Sequence, residues 1–301
     1  MIEPPPRSLR LRLDREALAG IWRALDRLSG RARAGAAVKA DAYGIGVGNA
    51  VPVLREAGCE TFCVAHWSEV ADLLAQAAPE QVVVLHGPIA AEDVAFARAT
   101  GVRTVINSLF QARLWLDGGG GPCELMLDTG INRLGLPPAQ IGDPLVARLE
   151  IGTLMSHLAS ADEDSPQNEA QRRLFDDLAQ HVPHRRRSLA NSAGIALGPA
   201  YAYDVTRPGL SLYGGVPREE LAADIRQVAR PQAAVLQLRD LSPGDSVGYN
   251  ATFTAERPMR AATVSLGYAD GFLRCWSGRG ALRFGETLLP LRIDAAVPDG
   301  A

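Results

Sequence analysis

The sequence of 301 residues has little of several features that define protein classes. Its net charge is only -3, so it lacks the basic excess of a protein that binds nucleic acid or a membrane surface. No apolar run approaches the roughly 18 residues of a membrane-spanning helix, and the N-terminus has no apolar segment typical of a secretion signal. The four cysteines have no metal-binding spacing. The composition therefore predicts a cytoplasmic globular protein of one or two domains, with no nucleic-acid or membrane partner and no metal.

Lysine is nearly absent. Of the 31 basic residues, Lys39 is the only one that is not arginine. As surface cations the two residue types are nearly equivalent, whereas only lysine can lose its proton and attack a carbonyl carbon. Lys39 is therefore a candidate for covalent chemistry, and the alternative is a surface lysine retained by chance.

Short β-branched segments alternate with helical segments over the first two-thirds of the chain. Predicted strands lie at 35–39, 61–65, 81–86, 103–107, 123–128, 151–157, 187–191 and 203–207, and predicted helices include 14–28 (with Asp14 as its N-cap), 68–77, 90–99 and 168–180. Eight β-then-α units predict an α/β fold with an N-terminal (β/α)8, TIM-like barrel over residues 1–229. A smaller β domain is predicted over 230–301, with strands at 232–240, 246–255, 260–268 and 280–293 and an unstructured end at 295–301.

Reactive side chains gather at the carboxyl ends of the strands in such a barrel. The predicted strand ends carry Lys39, His86, Asn107, Asp128 followed by Arg133, His157, Asn191 with Ser192, and Arg207. Their convergence predicts an active site, although each alone has a structural alternative: a rim histidine, an asparagine that caps a helix, or Arg207 paired with Asp204. Gly44-Ile-Gly46-Val-Gly48 offers a weaker dinucleotide-binding alternative, because Asn49 stands where that fingerprint needs its third glycine.

Seven segments, in order along the chain, resemble the alanine racemase family. They are Ala-Val-Lys-Ala-Asp-Ala-Tyr-Gly (37–44), Asp-Thr-Gly-Ile-Asn-Arg-Leu-Gly (128–135), Ser-His-Leu-Ala-Ser-Ala-Asp (156–162), Asn-Ser-Ala-Gly (191–194), Arg-Pro-Gly-Leu (207–210), Val-Gly-Tyr-Asn-Ala-Thr-Phe (247–253) and Gly-Tyr-Ala-Asp-Gly (267–271). The resemblance covers about residues 9–290. It implies a fold-type III pyridoxal 5′-phosphate enzyme that interconverts L- and D-alanine and supplies D-alanine for peptidoglycan. It also implies a homodimer whose active sites are shared across the interface.

The resemblance assigns roles by position in this sequence. Lys39 and the partner subunit's Tyr249 would be the two catalytic acid/base groups on opposite faces of the cofactor. The cofactor-binding residues would be Lys39, Tyr43, His157, Asn191, Ser192, Arg207, Gly209 and Leu210. Arg133 would reach the substrate carboxylate, and Tyr268 would line the substrate entry from the partner.

Two departures from the family pattern stand in the sequence. Met126 occupies the position where many relatives have a carbamylated lysine that orients the arginine seven residues later. Relatives also continue with an Arg-x-x-Met-Asp segment, whereas Leu291-Arg292-Ile293-Asp294 stands near that place here, so the β domain is expected to be incomplete and to expose an unpaired edge. A broad-specificity amino-acid racemase and a non-catalytic pyridoxal-phosphate-binding protein remain as alternatives. Tyr249 argues against the second, because a carrier needs no such base.

Overall fold

The computed structural model describes residues 5–291, which divide into two compact units: residues 13–229, and residues 5–12 with 230–291. The strands are β1 (Leu9–Leu13), β2 (Arg33–Ala34), β3 (Ala36–Ala37), β4 (Phe62–Val64), β5 (Val82–Val84), β6 (Arg103–Ile106), β7 (Pro122–Met126), β8 (Glu150–Met155), β9 (Arg186–Ser188), β10 (Val205–Thr206), β11 (Ala229–Ala233), β12 (Val235–Leu241), β13 (Ser246–Val247), β14 (Phe253–Thr254), β15 (Met259–Val264), β16 (Ala281–Phe284) and β17 (Thr287–Pro290). The helices are α1 (Arg15–Leu28), α2 (Lys39–Tyr43), α3 (Val47–Ala57), α4 (Val70–Leu74), α5 (Ala91–Thr100), α6 (Leu109–Asp117), α7 (Pro144–Ala147), α8 (Pro166–Ala179) and α9 (Ser192–Ala196).

The first unit is built on parallel strands that close into a barrel. Strands β3 to β9 form one seven-stranded parallel sheet in chain order, and β2 pairs in parallel with β10. Only Gly35 separates β2 from β3, and a Cβ there would lie 3.0 Å from the Thr61 carbonyl oxygen, so glycine suits the point where the strand changes partner. Between β9 and β10, the Arg207 backbone N–H donates to the Ala190 carbonyl oxygen at 2.8 Å. This topology confirms the predicted (β/α)8 fold.

Helices cover the outside of the barrel and bury their apolar faces against it. The Asp14 carboxylate accepts a hydrogen bond from the Ala17 backbone N–H at 2.9 Å, which confirms the predicted N-cap of α1. That helix buries Leu18, Ile21 and Leu25 completely, at the i, i+3, i+7 spacing of an amphipathic helix. Within residues 5–291, no helix combines the length and the apolar character needed to cross a bilayer.

The second unit consists of short antiparallel strand pairs. Strand β12 pairs with β15, β13 with β14, and β16 with β17. The single strand predicted at 246–255 is wrong, because Gly248, Asn250 and Ala251 have positive φ angles and turn the chain back on itself. The single strand predicted from 280 to 293 is a hairpin, since Phe284 pairs with Thr287 across a two-residue turn at Gly285. The segment predicted to be unstructured, 295–301, lies outside the described residues.

Candidate active site

Lys39 lies two residues beyond β3, at the barrel mouth, in a strained turn. The four residues that follow it, Ala40 to Tyr43, all have φ between 51° and 57°, so α2 is a left-handed turn. Each L-residue in this conformation costs roughly 1–2 kcal/mol. The Asp41 carboxylate accepts a hydrogen bond from the Val47 backbone N–H at 2.7 Å and so ties this turn to the start of α3. Strain that is held in place by the surrounding structure is typical of functional sites.

A cradle of hydrogen-bond donors lies at the loop after β10. The Ser192 hydroxyl oxygen accepts hydrogen bonds from the backbone N–H groups of Gly209 at 2.9 Å and Ser211 at 3.2 Å. The Ser211 hydroxyl is completely buried and has no hydrogen-bond partner among the described residues. A Cβ at position 209 would overlap the Tyr43 hydroxyl, so only glycine lets that hydroxyl approach the loop. Converging hydroxyls and backbone N–H groups suit an anion such as phosphate.

Arg207 is a buried cation without a carboxylate partner. Its side chain is 6% exposed, and its guanidinium donates to the Ser188 hydroxyl and, at 2.6 Å, to the Ser156 carbonyl oxygen. No ion pair to Arg207 occurs in residues 5–291. The predicted alternative, a pair with Asp204, is wrong: that carboxylate accepts the Arg187 backbone N–H at 2.7 Å instead. Burial lowers the pKa of Arg207.

His157 lies two residues beyond β8, among positive charges. Burial, followed by the charges of Arg207, Arg133 and Lys39, lowers the pKa of His157 to about 3. Its imidazole is therefore neutral at physiological pH. Because all three cations act on this one ring, Lys39, Arg133, His157 and Arg207 lie near one another at the barrel mouth.

The remaining predicted residues of the barrel have identifiable contacts. The Asp128 carboxylate accepts three successive backbone N–H groups, from Gly130 at 2.9 Å and from the next two residues at 3.1 Å, and so shapes the loop that carries the exposed Arg133. The Asn191 side chain accepts the Gly194 backbone N–H at 2.8 Å and caps α9. Leu210 is exposed directly after the cradle glycine.

His86 and Asn107 are held by neighbouring loops. The His86 ring makes an edge contact with the His66 ring, with centroids 4.3 Å apart, and burial lowers the pKa of His86. The buried Asn107 amide donates to the Leu85 carbonyl oxygen at 3.0 Å, so it joins the loops after β5 and β6.

Tyr213 was missed by the sequence analysis. Its ring stacks on the Tyr43 ring with centroids 4.6 Å apart, and its hydroxyl donates to the Ala37 carbonyl oxygen at 2.9 Å. Tyr213 therefore packs against Tyr43 while it is anchored to the last residue of β3. The available signal was its position, four residues beyond the glycine of the Arg-Pro-Gly-Leu segment, but nothing in the sequence indicated that it contacts Tyr43.

Tyr249 and Tyr268 belong to the second unit. Tyr249 begins a short 3-10 turn, Tyr249–Ala251, between β13 and β14, and is 59% exposed. Tyr268 begins a similar turn, Tyr268–Asp270, and is 39% exposed. Both residues are thus partly open to solvent, and their catalytic roles stay predictions.

The chemistry of these groups fits pyridoxal phosphate. Lys39 offers a primary amine for an aldehyde, and Lys39 Nζ has no hydrogen-bond or ion-pair partner in the part of the chain that is described. The cradle offers donors for a phosphate, and Arg207 offers a donor that cannot be deprotonated. Residues 5–291 contain no cluster of three or more side chains able to hold a metal ion. Barrel, amine and anion cradle together define a lysine-dependent enzyme of the (β/α)8 class with a phosphorylated cofactor.

Comparison with known proteins narrows this class to one family. Residues 13–217 match the alanine racemase N-terminal domain, and residues 228–292 match the alanine racemase C-terminal domain. Alanine racemase from Methylobacterium nodulans is 41% identical over 93% of this chain and 78% of its own, and that from Rhodospirillum rubrum is 43% identical over 89% and 75%. The crystal structure of alanine racemase from Bartonella henselae, which holds covalently bound pyridoxal phosphate, superposes with a TM-score of 0.86 at 33% identity, covering 95% of this chain and 83% of that one. This chain belongs to the alanine racemase family.

Proposed function

We propose that this protein interconverts L- and D-alanine with pyridoxal phosphate attached at Lys39. The observation that carries the proposal is that the only lysine of the chain shares the barrel mouth with a phosphate cradle and a buried arginine. The relatives named alanine racemase, at about 40% identity over most of the chain, support the same reaction.

Residues of the barrel hold the cofactor in this proposal. Tyr43, Ser192 and the backbone of Gly209 and Leu210 receive the phosphate, and the neutral His157 lies beside the ring. Arg207 would donate to the ring nitrogen, and Asn191 keeps α9 and its Ser192 in place. A guanidinium has no proton to give up at neutral pH, so Arg207 would act there only as a hydrogen-bond donor. The bound cofactor supplies a conjugated system that takes up the electron pair left when the substrate Cα–H bond breaks.

Two proton-transfer groups act on opposite faces of the substrate Cα. Lys39 Nζ removes or returns the proton on one face, and Tyr249 of the partner subunit does so on the other. Inversion needs both, because a single base can only return the proton to the face from which it came. Arg133 receives the substrate carboxylate, and Tyr268 of the partner subunit lines the entry. The proposal therefore includes a homodimer.

The same proposal places the reaction in the cytoplasm, where D-alanine is needed for peptidoglycan. Cys59, Cys63 and Cys123 are buried free thiols, which is compatible with a reducing compartment.

The test is proton NMR of alanine in D2O with cofactor added, run separately on L- and D-alanine. We expect loss of the Cα–H signal from both enantiomers together with inversion. Lys39→Arg keeps the positive charge but cannot attach the cofactor, so it should abolish exchange. Tyr249→Phe should leave exchange with retention from one enantiomer only.

Other outcomes would favour other functions. Exchange of serine, lysine or arginine at rates similar to alanine would indicate a broad-specificity racemase. Bound cofactor without exchange of any amino acid would indicate a binding protein and refute the proposal.

A further inference from the structure

Lys39 projects from a turn that the backbone disfavours, so something must hold that turn. Ala40, which follows Lys39 directly, is in the left-handed region with φ 52°, where an L-residue crowds its own carbonyl oxygen. The far end of the turn is tied by Asp41 to Val47, as described above. The near end, beside Lys39, needs a contact of its own.

Glu69 supplies that contact. One carboxylate oxygen, Oε1, accepts the Ala40 backbone N–H, and the other, Oε2, accepts the backbone N–H groups of Ala65 at 2.8 Å and His66 at 2.9 Å. One side chain thus joins the segment after β3, which carries Lys39, to the segment after β4. Capping the short 3-10 turn Trp67–Glu69 explains the contact of Oε2 with His66 but not the contact of Oε1 with Ala40.

We propose that Glu69 is a positioning residue for Lys39, holding the left-handed turn so that Nζ faces the cofactor cradle. The inference rests on the proposed function of Lys39. A carboxylate suits the task because it offers two acceptor oxygens for three N–H groups, whereas an amide offers one oxygen and turns two hydrogens toward the remaining donors. Glu69→Gln must therefore lose the hydrogen bonds to one of the two segments, either to Ala40 or to Ala65 and His66.

The single lysine makes the consequence directly observable. Protein grown on lysine labelled with 13C at Cε gives one lysine signal in the apoprotein, because Lys39 is the only lysine. We expect that signal to be a single sharp resonance. In Glu69→Gln it should move toward the position of free lysine or split into several conformers. Glu69→Asp, which keeps the charge but is one methylene shorter, should retain the contacts on its own loop, lose Ala40, and shift the resonance in the same direction.

A second substitution tests the mechanism itself. Glycine populates the left-handed region at little steric cost. Ala40→Gly in the Glu69→Gln background should therefore restore part of the original resonance, which a purely structural role of Glu69 would not predict. Asp93→Asn is the matched control: Asp93 likewise accepts two backbone N–H groups, from Ile89 at 2.8 Å and Ala90 at 3.2 Å, but on the loop before α5. It should leave the lysine resonance unchanged.

Cofactor binding separates this inference from the proposed function. Pyridoxal phosphate can react with the lysine amine, whereas pyridoxine phosphate carries an alcohol in place of the aldehyde and senses only the rest of the binding site. We expect Glu69→Gln to weaken pyridoxal phosphate binding by about tenfold, the effect of one charged hydrogen bond, and to leave pyridoxine phosphate binding unchanged. An unchanged lysine resonance and unchanged pyridoxal phosphate affinity in folded Glu69→Gln and Glu69→Asp would overturn the inference. Failure of the unmodified protein to bind either compound would overturn the proposed function instead.

Discussion

His157 should make the apoprotein lose stability on mild acidification. Its pKa falls from an ordinary value of 6.5 to about 3 in the folded chain, because of burial and of the nearby cations. Between these two values the unfolded chain binds a proton at this residue and the folded chain does not. The free energy of unfolding therefore falls as the pH drops from about 6.5 toward 3.

The size of the effect follows from the shift. One pH unit within this window corresponds to about 1.36 kcal/mol, so acidification from pH 7 to pH 5 should cost about 2 kcal/mol through His157 alone. A glutamine at this position carries no titrating proton. Relative to His157→Gln, the unmodified protein should therefore lose about 2 kcal/mol of unfolding free energy over that interval.

The assay is urea unfolding of the apoprotein at several pH values between 5 and 7, followed by tryptophan fluorescence. His181→Gln, at an exposed position just beyond α8, is the matched control for replacing a histidine. Parallel pH profiles for the unmodified protein and His157→Gln would refute the reasoning. A flattened profile in the His181→Gln control would show that burial at position 157 is not the cause.

Three further substitutions test the site. Gly209→Ala should weaken pyridoxal phosphate binding at least tenfold by equilibrium titration, since its Cβ meets the Tyr43 hydroxyl; an unchanged affinity would contradict this. Arg207→Gln should raise the unfolding free energy of the apoprotein by about 1 kcal/mol, because it removes a buried charge without a counterion. The same substitution should weaken cofactor binding. A lower stability of the apoprotein in denaturant titration would contradict this prediction. Tyr249→Phe should slow racemisation by two or more orders of magnitude in a coupled assay while leaving cofactor affinity unchanged.

Much of the barrel could be predicted from the sequence because its strands are short, apolar and separated by amphipathic helices. The segments predicted at 103–107 and 151–157 became β6 and β8 with ends displaced by one or two residues. The β domain was harder, since its turns depend on single residues. Asn250 and Ala251 adopt positive φ angles, a conformation that the sequence does not predict for alanine. Gly285 alone was too weak a turn signal to divide 280–293 into two strands.

The site was predicted where chemistry is carried by the residue type and missed where it depends on long-range contact. Lys39 was found because lysine is otherwise absent from the chain. Glu69 is one of many acidic residues on helical segments, and only the fold shows that its carboxylate reaches the backbone beside Lys39. Ser211 and Tyr213 likewise contribute through neighbours that are distant in sequence, such as Ala37.

The alternation of side chains along the strands places an apolar layer above the buried Glu124 carboxylate. Inward-facing residues lie two apart, so β7 places Glu124 and then Met126 along the barrel axis. Glu124 pairs with Arg103 at 2.8 Å in the lower layer. Above it, Met126 packs in an apolar layer with Cys63, Val83, Val105 and Met155. Among the described residues, Glu124 therefore pairs with Arg103 below this layer and not with Arg207. With methionine at position 126 this layer is wholly apolar, and the loop that carries Arg133 is shaped by Asp128 instead.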